Sequence, residues 1–166
     1  MEKMLNRRTS LHMDVALYRR IHDICIEVGI PMALFIRAAA TNVEPSMLET
    51  GSKAWKTGIH SHAPANSRDD VQGERQRIDL RLSDAEREII ARAAANRQTS
   101  RARFIVSQAR QFVVDPHARD ILNRLADLGS DELVRYARTM LETIHATERQ
   151  VQTGTSAANA ATVLRG

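Results

Sequence analysis

Arg77-Ile78-Asp79-Leu80-Arg81-Leu82-Ser83 alternates polar and apolar side chains, and its reading decides the fold. A period of two puts Ile78, Leu80 and Leu82 on one face and Arg77, Asp79 and Arg81 on the other, so the segment is expected to be a short, half-buried strand. Ser83 and Asp84 follow as an N-cap and a first-turn anion. Asp84 to Arg97 then carries Ile89, Ile90, Ala93 and Ala94 at helical spacing. Gln98-Thr99-Ser100 interrupts the helix and supplies a second cap. Arg101 to Val114 gathers Phe104, Ile105, Ala109, Phe112 and Val113 on one side before Pro116 stops it. The order is strand, helix, turn, helix.

The same order occurs earlier in the chain. Thr9 to Asp14 alternates, Val15 to Val28 is amphipathic with Tyr18, Ile21, Ile24, Cys25 and Val28, and Gly29 ends that helix. Pro31 suits the first position of the next helix, which carries Leu34, Phe35 and Ala39 toward Val43. One ungapped offset (80 − 11 = 69) brings Leu11 onto Leu80, Arg8 onto Arg77, Asp14 onto Ser83, Ile21 onto Ile90, Phe35 onto Phe104 and Ile36 onto Ile105. A match of this kind indicates an internal repeat.

Working outward, residues 7–45 form the first unit and 74–116 the second, joined by a flexible linker at 46–73 that is rich in Ser, Thr, Gly, Ala and His. Trp55 in that linker has no evident core to join. Residues 117–150 are expected to be two amphipathic helices split by Gly129-Ser130, with Leu133, Ala137, Met140, Leu141 and Ile144 as an apolar stripe. Residues 151–166 read as a disordered tail.

Composition narrows the class of function. Hydrophobic residues make up 43% of the 166, enough for a core, and no apolar run reaches the ~18 residues that a membrane span needs. The start also lacks a secretory pattern, so the expected location is cytoplasmic, associated with the nucleoid or a plasmid. Cys25, the single cysteine, sits in a helical apolar pattern and is expected to be packing. Six histidines (His12, His22, His60, His62, His117 and His145) form no metal-ligand pattern, and no nucleophile elbow, phosphate loop or paired catalytic carboxylates occur. Neither a metal, a cofactor nor catalysis is expected. The net charge of +4 concentrates on the repeat: +3 over 74–116 and +1 over 1–45, against zero over 46–73 and over 117–166. All nine basic residues of 74–116 are arginine, whose planar fork suits phosphate oxygens and guanine edges.

A single strand with two helices cannot cover its apolar face or satisfy both strand edges, so each unit needs a partner strand. Antiparallel pairing of the two copies as a pseudo-dimer would bury Leu11, Met13, Leu80 and Leu82. It would turn Arg8, Ser10 and His12, with Arg77, Asp79 and Arg81, outward on a ribbon narrow enough for the DNA major groove. One such row alone would read as a solvated strand face. Two rows in the same phase point to a recognition surface. A linker of 28 residues spans ~30 Å root-mean-square, enough for pairing within one chain.

The strand, helix and turn-helix units with alternating strand residues resemble the ribbon-helix-helix family, the Arc and MetJ fold. The resemblance implies a mostly α protein built from two tandem ribbon-helix-helix units with a C-terminal helical appendix. It also implies base reading by Arg77, Asp79 and Arg81 and by their counterparts Arg8, Ser10 and His12. Phosphate anchoring by the start of each second helix falls on Thr99, Ser100 and Arg101, and on Ile30 and Pro31. Two departures stand out. Asp79 accepts but cannot donate and so favours a cytosine amino group, and Pro31 has no N–H, which weakens the first clamp.

Arg77 to Phe112 is also similar to TacA-type antitoxins, which pair with acetyltransferase toxins, and the tandem layout resembles the TraY-type relaxosome accessory proteins of conjugative plasmids. The expected function is a sequence-specific double-stranded DNA-binding repressor. The alternatives are a relaxosome accessory protein at a plasmid transfer origin, an antitoxin that also neutralises a toxin through its C-terminal helices, and a protein-binding scaffold. Expected partners are DNA, a toxin or relaxase, and a second copy through residues 117–150, with no membrane.

Overall fold

The alternation around Leu80 forms β2 (Arg75–Arg81), paired antiparallel with β1 (Arg8–Asp14) in a two-stranded sheet. The computed structural model describes residues 8–48 and 73–163, with side chains described as far as residue 154. The reading of Trp55, His60 and His62 therefore lies outside the described residues. Each strand leads into two helices: α1 (Val15–Val28) and α2 (Met32–Thr41), then α3 (Asp84–Asn96) and α4 (Arg101–Val114). After these come α5 (Ala118–Leu128) and α6 (Ser130–Val163). The protein is mostly helical, in an arrangement consistent with a ribbon-helix-helix fold, and among the described residues no single helix is long and apolar enough to cross a membrane.

Alternation sets the faces of the strands, but pairing sets their ends. The ladder runs from Arg8↔Arg81 to Asp14↔Arg75, so β2 starts two residues before Arg77 and releases Leu82 and Ser83. Leu82 remains buried, and Ser83 becomes the N-cap of α3. Leu11, Met13 and Leu80 point into the core, while Arg8, Ser10, His12, Arg77, Asp79 and Arg81 are exposed.

The offset of 69 that relates the sequences also relates local geometry. Asp14 caps α1 by accepting from the Leu17 amide over 2.8 Å, and Ser83 caps α3 by accepting from the equivalent Glu86 amide over 3.3 Å. Both first helices end in a left-handed residue, Gly29 at φ 83° and Gln98 at φ 52°. In both, the next amide reaches back over 3.0 Å, Ile30 to Cys25 and Thr99 to Ala94. Ser10 and Asp79, which are equivalent at this offset, also pair with each other in the ribbon. The same ladder pairs Arg8 with Arg81 and His12 with Arg77, positions that the offset of 69 exchanges.

The core runs through both units. Phe35 of α2 meets Phe112 of α4 edge to face at 5.3 Å, and Leu11, Ile21, Ile36, Ile89, Ile90 and Ile105 are fully enclosed around them. A buried ion pair crosses between the units: Arg37 of α2 donates from Nε to Glu86 of α3 over 2.7 Å and from a terminal nitrogen over 3.1 Å. Glu86 is fully enclosed and also accepts from the Ser83 amide, completing a capping box. The lone cysteine packs in this core, and burial pushes its thiol up to about 11.

Two stretches are helical where the sequence reading expects a linker and a tail. The first unit does not end at Pro45: a 3-10 turn at Pro45–Met47 leads to Leu48, which is fully buried, and α3 holds this turn through Arg92 and Asn96, which donate to the Leu48 and Met47 carbonyls. Residues 151–163, read as a tail, continue α6.

The stripe of Leu133, Ala137, Met140, Leu141 and Ile144 is buried within the chain. The helical pair α5–α6 covers α2, where Ala38 and Thr41 share a cleft with Ile121, Leu125 and Leu133. The equivalents of Ala38 and Thr41 in the second unit are Ser107 and Arg110, both exposed. Across α3, Arg92 is nearly enclosed, pairing with Glu148 of α6 at 2.6 Å and with Glu88 at 2.9 Å, while His145 lies 2.7 Å from Glu88.

Candidate nucleic-acid interface

All six residues expected to read bases lie on the outer face of the ribbon, in three facing pairs: Arg8 with Arg81, Ser10 with Asp79, and His12 with Arg77. They are not equally available. The Ser10 hydroxyl donates to Asp79 Oδ1 over 2.6 Å, Arg77 Nε donates to the same oxygen over 3.2 Å, and a terminal Arg77 nitrogen donates to Ser10 Oγ over 3.2 Å. The hydrogen bond from Ser10, then that from Arg77, hold the Asp79 carboxyl below its ordinary range, so it is ionised at neutral pH. The centre of the ribbon is thus a closed triad of donor, acceptor and cation. Arg8 and Arg81 make the more cationic end, while the other end offers His12 and a tethered Arg77.

A two-stranded ribbon with this face can do two chemical things. Its side chains can enter a major groove and meet base edges, arginine to guanine O6 and N7, and the free Asp79 oxygen to a cytosine amino group. Its cations also attract any polyanion, less selectively.

The five residues expected to anchor phosphate divide differently. The amides of Ile30 and Thr99 are consumed by the turns that end α1 and α3, the Ile30 side chain is buried, and Pro31 has no amide. Pro31 is also the N-cap of α2 rather than its first residue, with Met32 opening the helix, because its ψ of 148° is extended. Ser100 and Arg101 stand at an exposed helix start, where Ser100 Oγ accepts from the Arg103 amide over 3.2 Å. The unpaired leading amides of a helix are those of its first turn, here Arg101 and Ala102 in α4 and Met32 and Ala33 in α2. Of the expected anchors, Arg101 coincides with one of these donors, while Thr99 and Ser100, and Ile30 and Pro31, lie two residues ahead of them; the Thr99 and Ile30 amides close the preceding turns instead. Arg97, Arg101 and Arg103 surround the start of α4, with Arg97 held over the Phe104 ring at 5.6 Å; the first unit has Val28, Met32 and Leu34 at these places.

Residues 77–128 match the family model described as Antitoxin TacA 1-like. The matched span takes in β2 from Arg77, then α3, α4 and the whole of α5, so it joins the second unit to the first helix of the appendix. The TacA-like span holds Arg77, Asp79 and Arg81, both members of the Ser83–Glu86 capping box, and the arginine-rich start of α4. No curated protein and no solved structure matches the chain.

Proposed function

We propose that this protein is a sequence-specific regulator that binds double-stranded DNA with the outer face of its β1–β2 ribbon and represses transcription, acting as an antitoxin-type repressor of its own operon. In this reading the two strand-helix-helix units of one chain act as a pseudo-dimer. The observation that carries it is the exposed row of Arg8, Ser10, His12, Arg77, Asp79 and Arg81 on a ribbon only two strands wide. The approximate twofold axis of such a pseudo-dimer is broken on this face, since Arg81 corresponds to His12 and Asp79 to Ser10, so the favoured target is an asymmetric site rather than a perfect palindrome. The arginines around the start of α4 make the second unit the stronger phosphate contact.

The test is the affinity of the native chain and of Arg77→Ala/Arg81→Ala for DNA from upstream of its own gene, against scrambled DNA at physiological salt. Selective binding lost in the variant supports the ribbon as reader. Weak, steeply salt-dependent binding to both DNAs, unchanged in the variant, is charge attraction alone and removes the reading.

A second role, neutralising a toxin, is favoured by the antitoxin match running past the second unit through α5. The same observation favours an antitoxin over a relaxosome accessory protein. The apolar stripe of α6 is occupied within the chain, so a toxin would meet the outer surfaces of α5 and α6, where Leu128 and Tyr136 are exposed, or displace the helical pair. Co-expression of the adjacent gene's product with the full chain, read as co-purification and relief of growth arrest, tests this role.

A further inference from the structure

We infer that the Arg37–Glu86 pair is a specificity lock that matches a first unit only to a second unit, whatever the ribbon binds. Arg37 is nearly buried and Glu86 fully so, and the two are joined by two hydrogen bonds across the contact of α2 with α3.

At the offset of 69, Arg37 corresponds to Val106 and Glu86 to Leu17. α1 also contacts α4, and the positions there that correspond to the charge pair are both apolar. Leu17 is buried and Val106 packs against the same core. One side of the interface is a charge pair and the other is its hydrocarbon equivalent.

Homotypic pairing would scramble this. Two first units would each press Arg37 against the other's Leu17, and two second units would each press Glu86 against the other's Val106. Each arrangement buries two charges without a counter-ion, whereas the unlike pair buries one satisfied ion pair. On the open face the same logic holds: two second units would set Asp79 against Asp79 on the axis, where the unlike pair sets Ser10 as donor to Asp79. The complement each unit fits is thus the unlike unit, of its own or of another chain.

The test uses full-length chains and cysteines at the axis positions, which face each other in any pairing. Chain one carries Arg37→Glu with Ser10→Cys, and chain two carries Glu86→Arg with Asp79→Cys. Within either chain alone, the lock sets like charges together. Between the chains opposite charges meet twice: the introduced glutamate of chain one faces the introduced arginine of chain two, and the Arg37 that chain two retains faces the Glu86 that chain one retains. After refolding the two together and mild oxidation, the expected product is the disulfide joining chain one to chain two, exceeding the disulfides that join two copies of chain one or two copies of chain two by about tenfold or more. Comparable amounts of all three, or no interchain product at all, overturn the inference. Arg37→Glu/Glu86→Arg within one chain serves as the folding control. Because Glu86→Arg also removes the capping-box bond from the Ser83 amide, the double reversal should be more stable than Glu86→Arg alone without regaining the native value, and a double reversal no more stable than Glu86→Arg alone also overturns the inference.

Discussion

Ser10 and Asp79 occupy equivalent positions of the repeat and are direct partners across the ribbon, joined by a 2.6 Å hydrogen bond from the hydroxyl to the carboxylate. Arg77 closes on both, so the middle of the outer face is held together before anything binds to it.

Removing the carboxylate should loosen Arg77, leaving it only the bond to Ser10. Asp79→Ala is expected to tighten binding to scrambled DNA several-fold while discrimination in favour of the preferred site falls by roughly tenfold, because one specific acceptor is lost and one cation loosened. Fluorescence anisotropy on paired DNAs reads both, and an unchanged ratio would exclude the triad from selectivity. The Asp79 carboxyl is held below its ordinary 3.8, so its interactions are complete above that value and are lost only as the pH falls through the lowered value. Selectivity owed to Asp79 should therefore be flat from neutral pH down to about 5.

Arg92 joins α3 to both the 3-10 turn and α6, so its loss should be felt at both places. Arg92→Ala leaves Glu88 and Glu148 facing each other without the cation and is expected to cost about 2–4 kcal/mol, lowering Tm by roughly 5–15 °C. Glu148→Gln should cost less, since Glu148 is part-exposed and Glu88 remains to pair with Arg92. Thermal denaturation of the two variants side by side checks the order.

The two left-handed turns predict opposite effects for reciprocal substitutions. Gln98 at φ 52° has a side chain where the first unit has glycine, so Gln98→Gly should stabilise the protein by up to about 1 kcal/mol. An added Cβ at Gly29 would meet no atom within 4 Å, so Gly29→Ala should cost about 1 kcal/mol from backbone strain alone. Urea denaturation midpoints at constant m-value would settle the signs.

Cys25 should be inert in the folded protein. With the thiol pushed up to about 11, only about one molecule in a thousand carries a thiolate at pH 8, and the sulfur is buried as well. Labelling by iodoacetamide should be negligible until denaturant unfolds the chain. The raised value also means that burial of the neutral thiol stabilises the fold fully below the ordinary 9.0, and that this contribution declines as pH climbs from there toward 11.

Local sequence carried much of this fold. The strand faces, both caps, Gly29 as a stop and the split at Gly129 could be read because each depends on neighbours within a turn or two. What escaped depends on distance. Arg37 and Glu86 are 49 residues apart, and Arg92 and Glu148 are 56 apart. Both arginines left a trace, each a lone charge among small and apolar residues (Ile36-Arg37-Ala38 and Ala91-Arg92-Ala93), and Glu86 stands three residues after Ser83, where a capping box places it. The outer row was legible through its alternation, but the triad that ties Arg77 was not, because it depends on which residue of β1 faces Asp79. Among the expected phosphate anchors, Thr99 gives its amide to Ala94, a bond visible only once the turn is formed, whereas Arg101 stands at the helix start as expected.

The broken symmetry of the ribbon has an evolutionary side. In a reader made of two identical subunits, every mutation arrives twice, and a residue on the axis must tolerate its own image. Here Ser10 can change while Asp79 stays, and His12 can drift from Arg81, so each half of the surface is inherited and selected separately. If the ribbon reads DNA as proposed, its specificity is adjustable one contact at a time.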